Sequence, residues 1–231
     1  MKIEVQEALE FKIGLESDFQ KATNIQGREF YSALYSLPQK SPVMWINLNP
    51  GGTPEQHQVL SDDQLGKGLH EFWHGDGKTS IATGAFLQKI FQLPVDRLCS
   101  VQGTNVAWER SQKGADIDLR AAAKRAAPFL ARYLKYSSPS IIIFGGSAAF
   151  DLYQEVHDAT VVESHEILMG NWGTRQARIF MSVLMDVPSI GKVKAVVVSH
   201  PSRGIRAGVL EKCRDIMVNI ELPVASTLCS G

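Results

Sequence analysis

The chain has 231 residues, of which 44% are hydrophobic, enough for one sizeable core in a single domain. Its 24 basic and 24 acidic residues cancel, which excludes a globally basic nucleic-acid-tracking surface; any such contact must rest on a local patch. Cys99, Cys213 and Cys229 are too few and too far apart for a disulfide framework or a zinc ribbon.

Residues 1–40 carry helical spacing in Phe19, Ala22, Phe30, Tyr31, Leu34 and Tyr35, and read as a helical lead-in. The opening MKIEVQEALEFKIG lacks an apolar signal core, and no stretch approaches the roughly 20 apolar residues of a membrane helix. The expectation is a reduced cytoplasmic protein without a membrane partner. Val43–Leu48 has strand character and runs straight into Asn49-Pro50-Gly51-Gly52. A short helix is expected over Gly84–Phe91, then a strand over Val101–Trp108. Leu119–Tyr136 reads as a long amphipathic helix with Pro128 as a kink. A strand over Ser140–Phe144 leads into a helix over Ser147–Glu155. The run Ala177–Leu184 is expected to pair with the strand Val193–Ser199 through a hairpin-like connection at Asp186–Lys192. A helix over Ile205–Val218 and a frayed tail, PVASTLCSG, close the chain.

SIIIF and VKAVVVS are rich in β-branched residues with little alternation, as in strands buried on both faces. Alternating β and α segments predict a three-layer α/β/α sandwich with a mainly parallel four-stranded sheet. It forms one domain over 1–231: lead-in 1–40, core 41–220, tail 221–231. Ligands of such sheets sit beyond the carboxyl ends of the strands. The segments that follow the strands there are NPGG, ERSQKG, GGSAAF and HPSRG.

Two literal motif matches read otherwise. His70-Glu71-Phe72-Trp73-His74 matches H-E-x-x-H, but Gly75-Asp76-Gly77 follows at once and would end the helix that a zinc site needs. GDGKT resembles the end of a phosphate loop, yet Phe72 stands where the first glycine belongs and no strand feeds the loop.

Four segments in order resemble the uracil-DNA glycosylase superfamily over about residues 40 to 220. INLNPGG looks like its first motif, Gly-x-Asn-Pro-Gly in the mismatch-specific branch, and GTNVAWERS is similar to the Thr-Asn segment of the thermostable branch. APFLARYLKYSSPSIIIFGGSAAFDLY looks like the helix, strand and Gly-x-x-Ala turn found there, and VVVSHPSRG like the closing His-Pro-Ser motif. The resemblance implies hydrolysis of the N-glycosidic bond of uracil or a related damaged base in DNA. It casts His200 as donor to the leaving base and Asn49 as the group that positions water, with Asn105 reading the base edge. Gly51 and Gly52 would let backbone approach the base or phosphates, Ser202 would contact phosphate, and Arg203 would reach DNA or wedge into the vacated stack. Phe72 or Trp73 would sandwich the flipped base. The chain departs from the pattern at Asn47, where the branch has glycine and where a side chain would crowd the base pocket. Asn49 stands where an Asp would activate water more strongly. The cysteines do not match the iron–sulfur set of the thermostable branch, so no cofactor or metal is expected.

Each residue also has a plain structural reading. Asn49-Pro50-Gly51 suits a turn, Asn105 a satisfied core amide, His200 a helix-entry loop, and Phe72 and Trp73 ordinary packing. Two other functions remain open: the same fold binding a base, nucleotide or nucleic acid without turnover, and a zinc hydrolase using His70 and His74.

Overall fold

The computed structural model describes residues 3–25, 30, 33–51, 60–111, 117–172, 175–204 and 206–223. Within these ranges the side chains of Ile3, Trp172, Arg175, Ser202 and Ala207 are left undescribed. The elements in order are α1 (Ile3–Thr23), β1 (Val43–Asn47), α2 (Asp62–Gly66), α3 (Glu71–His74), α4 (Lys78–Phe91) and α5 (Val95–Leu98). Then come β2 (Gln102–Asn105), α6 (Leu119–Ser137), β3 (Ile141–Gly145), α7 (Ser147–His157), β4 (Thr160–Trp172), β5 (Arg175–Val187), β6 (Gly191–Val198) and α8 (Ala207–Met217).

One six-stranded mixed sheet runs in the order β2-β1-β3-β6-β5-β4. Its first four strands are parallel, and β5 and β4 extend it antiparallel. The expected four-stranded sheet is therefore corrected to six. The four strands expected from the sequence are the parallel ones, and the run Ala177–Leu184 lies in β5, paired with β6 as expected. The missed strand is β4. It is an edge strand carrying Glu163, His165 and Glu166, with three register shifts against β5 and with Val162, Ile167 and Met169 exposed. Charges and bulges on an edge block pairing with other chains, and they also erase the alternation that marks a strand in sequence.

Side chains alternate across the sheet into two cores. Met44, Ile46, Ile142, Phe144, Ala195 and Val197 meet α1, α6 and α7 on one face. Val43, Trp45, Ile143, Val196 and Val198 meet Phe72, α4 and α8 on the other. Burial on both faces explains the unalternating apolar runs, each large side chain contributing about 1.5–3 kcal/mol. Helix α6 starts on Asp118, whose carboxylate accepts from the Ala121 N–H at 3.0 Å, and ends on Ser138 in the left-handed region. It runs on through Pro128 as expected, and Pro128 and Lys124 lie on its exposed side, where the carbonyl that proline leaves unpaired is open to solvent. Among the described residues of the lead-in, the helix covers Ile3–Thr23; Phe30 bridges to Glu109, and Leu34 to Thr104 of β2. Lys12, 3% exposed, clips α1 to α2 through Glu16 and Asp62, each at 2.8 Å. No described helix is long and apolar enough to cross a membrane.

Candidate functional site

The carboxyl ends of β1 and β2 are zipped together beyond the strands themselves. Val106 and Ala107 donate to the carbonyls of Asn47 and Leu48 at 2.8 and 2.9 Å, and Ser111 donates to that of Pro50 at 3.2 Å. This holds the Asn49-Pro50-Gly51 turn at the rim of a cleft of about 290 Å³. Tyr35, Asn47, Asn49, Gly51 and His200 line it on the sheet side, and the first turn of α4, Gly77–Ser80, faces them.

Asn49 is fixed by its own amide. Its Nδ2 donates to the Pro50 carbonyl at 3.0 Å and to Ser111 Oγ at 2.8 Å. Its Oδ1, with no protein partner among the described residues, is left as an acceptor in the cleft. Ser111→Ala removes this restraint without touching the cleft floor. If Asn49 holds water, kcat on a deoxyuridine oligonucleotide is expected to fall about tenfold. KM and the unfolding midpoint stay unchanged; an unaltered kcat would show that Asn49 needs no such support.

His200 begins the short 3-10 turn Pro201–Arg203, whose Arg203 N–H donates back to the His200 carbonyl at 2.9 Å. Burial, with Arg203 nearby, holds its pKa below the ordinary histidine value, so the ring is neutral at pH 7. The ring also forms the wall of a second cleft of about 200 Å³, where Gly146, Ser147 and Arg203 lie.

Asn105 does not line the main cleft. It is fully buried behind Tyr35, whose hydroxyl donates to Asn105 Oδ1 at 2.7 Å, while among the described residues its Nδ2 has no hydrogen-bond partner. Phe72 is 1% exposed and packs against Tyr35 and Trp45, so its ring belongs to the core and lines no described cleft. Trp73 packs edge-on against Phe72 and His70 and likewise lines none. The aromatic residue that does reach the main cleft is Tyr35. Arg203 lines the second cleft; Gly52 and the Ser202 side chain lie outside the described residues.

The HEFWH stretch is a backbone clamp. His70 Nε2 donates to the Val101 carbonyl at 2.8 Å and its Nδ1 accepts from the Phe72 N–H at 3.1 Å, so both ring nitrogens are occupied. Glu71 accepts from the Leu60 N–H at 2.7 Å. Among the described residues no group of three or more His, Cys, Asp or Glu could hold a metal ion.

Burial pushes His70 down to about 3 and His157 down to about 4. Below the ordinary histidine value of about 6.5 the unfolded chain takes up protons that the folded chain refuses. Folding stability is therefore expected to fall with pH from about 6.5, by up to about 1.4 kcal/mol per pH unit for each ring. Glu71, raised by burial, opposes this above its ordinary range. Denaturant unfolding at successive pH values checks it. His157→Phe, which keeps the stack on Tyr153, should remove its own share of the slope, up to about 1.4 kcal/mol per pH unit.

Three parts of this site were not singled out in the sequence. Ser111 lies within ERSQKG, one of the segments after the strands, but nothing local marked it as a partner of Asn49. Gly77–Ser80 belongs to the GDGKT stretch, which follows a helix and not a strand, yet opens α4 onto the cleft. Tyr35 arrives from the lead-in. No model of a known protein family and no curated protein matches the chain.

Proposed function

We propose that this chain is a DNA glycosylase hydrolysing the N-glycosidic bond of uracil or a related damaged base, with a fold like that of the uracil-DNA glycosylases. The observation that carries the reading is that Asn49 and His200, from opposite ends of the sequence, line one cleft at the carboxyl ends of parallel strands. A flipped nucleotide places its base in the cleft. As the bond between C1′ and the base breaks, its electrons pass to the base, and a neutral His200 donates a hydrogen bond to the oxygen on which charge develops. Asn49 Oδ1 holds the water whose oxygen joins C1′; the water gives up one proton and the departing base anion takes one up, leaving a C1′ hydroxyl and the neutral base. Water is the only co-reactant, so the reaction requires no metal or organic cofactor.

Incubation with a deoxyuridine oligonucleotide followed by alkali tests this: the wild type yields strand cleavage and the Asn49→Ala, His200→Ala double variant does not. Equal cleavage by the two proteins would remove the reading. A second reading, a base- or nucleotide-binding protein without turnover, is favoured by one observation. Asn105, the group expected to read the base, is closed off from the cleft by Tyr35. Tight binding of uracil or nucleic acid without product release would select it.

A further inference from the structure

We infer that Asn47 is the specificity-determining residue of this cleft, a fixed hydrogen-bond donor that accepts an oxo group on the base and rejects an amino group. The inference rests on the base-binding reading above and extends it to the class of base.

The orientation of the Asn47 amide follows from its neighbour on the same strand face. Trp45 Nε1–H can only donate, and it meets Asn47 at 2.9 Å, so the atom it reaches is the amide oxygen. The NH₂ end is then the end left over. Among the described residues it has no protein partner, although Asn47 is only 3% exposed and lines the cleft. Gly145 on the adjacent strand makes room for this arrangement. A Cβ there would lie 2.3 Å from Asn47 Oδ1 and 3.1 Å from Trp45 Nε1. Amide, indole and glycine thus form one rigid unit that turns a donor toward the ligand. Among the described residues no Asp or Glu lines the cleft to satisfy that donor.

An N–H that a ligand covers without offering an acceptor costs free energy, so the cleft favours a ligand that brings one. Deamination of a nucleobase replaces an exocyclic amino donor by an oxo acceptor. A fixed donor at that point binds the deaminated base and leaves two donors facing each other when the amino parent enters. Sites that hydrogen-bond a substrate group discriminate strongly against analogues that cannot answer it. The substrate class is therefore the oxo-bearing, deaminated bases, with uracil set against cytosine as the direct comparison. Asn47 is thus a selector at the place where the family resemblance has glycine.

Asn47→Asp keeps an oxygen for Trp45 and presents a second oxygen to the cleft. In mildly alkaline buffer it is expected to lower the uracil-to-cytosine ratio about a hundredfold, by losing uracil and gaining cytosine. Asn47→Gly, which removes the selector and empties the crowded position, should lower the same ratio while retaining uracil. Excision from deoxyuridine and deoxycytidine oligonucleotides and calorimetric binding of free uracil and cytosine are read in parallel, with circular dichroism to check folding. Ratios unchanged in both folded variants would overturn the inference and leave the glycosylase reading standing. Selective binding of uracil that depends on Asn47, without release of base from DNA, would sustain the inference and overturn that reading. A wild type that neither releases nor binds uracil overturns both.

Discussion

Asn49→Ala is expected to release uracil from DNA about a hundred- to a thousandfold more slowly than the wild type, with His200→Ala slower by a similar factor. The size of the first effect follows from how the side chain is held. Both Nδ2 hydrogens have protein acceptors, Pro50 O and Ser111 Oγ, so the amide plane is set before any ligand arrives and Oδ1 needs no reorganisation to hold water. The second follows from burial. A neutral imidazole beside a developing anion, in a half-buried wall between two clefts, acts where water screens it poorly. Because the two groups serve one transition state, the double variant should lose less than the product of the single losses. Single-turnover rates on a deoxyuridine oligonucleotide check this. Rates within threefold of wild type for both single variants would mean that the cleft's chemistry lies elsewhere.

Gly84→Ala is expected to destabilise the fold by about 3 kcal/mol, lowering the melting temperature by about 6–12 °C for a chain of this length. A Cβ at Gly84 would lie 2.2 Å from the Phe72 carbonyl oxygen and 3.1 Å from Trp73 Nε1. The nearest atom is backbone, so relief requires α3 and α4 to move apart. That motion reaches the site directly. The Glu71 N–H donates to the Tyr35 carbonyl at 2.8 Å, Phe72 packs on the Tyr35 ring at 5.3 Å, and Tyr35 and the first turn of α4 both line the cleft. Gly14→Ala is the contrasting substitution: it lies in α1 with nothing within 4 Å of its added Cβ, and should hold or slightly raise stability. Equal melting temperatures for the two variants would contradict the packing described.

The parallel half of the sheet was legible because strands buried on both faces must be apolar at every position, and Val43–Asn47 and Ile141–Gly145 are buried throughout. β4 was not, since an exposed edge has no need of that pattern and this one carries charges and register shifts. The places of Asn49 and His200 were legible because a parallel sheet gathers its strand ends along one edge. The burial of Asn105 was not, because the residue covering it, Tyr35, comes from a segment 70 residues away. Phe72 and Trp73 stood out as aromatics in a loop, and the structure uses them as packing under Tyr35. The long helix around Pro128 was legible from its amphipathic spacing, and Pro128 sits within it on the side that faces water.

The most direct measurement is the yield of free uracil and abasic sites from a deoxyuridine oligonucleotide incubated with the wild-type protein. The cleft built by Asn49 and His200 predicts the two products in equal amounts, rising with time beyond one equivalent of protein. Oligonucleotide recovered bound and intact, with no free base above that in buffer alone, would contradict it.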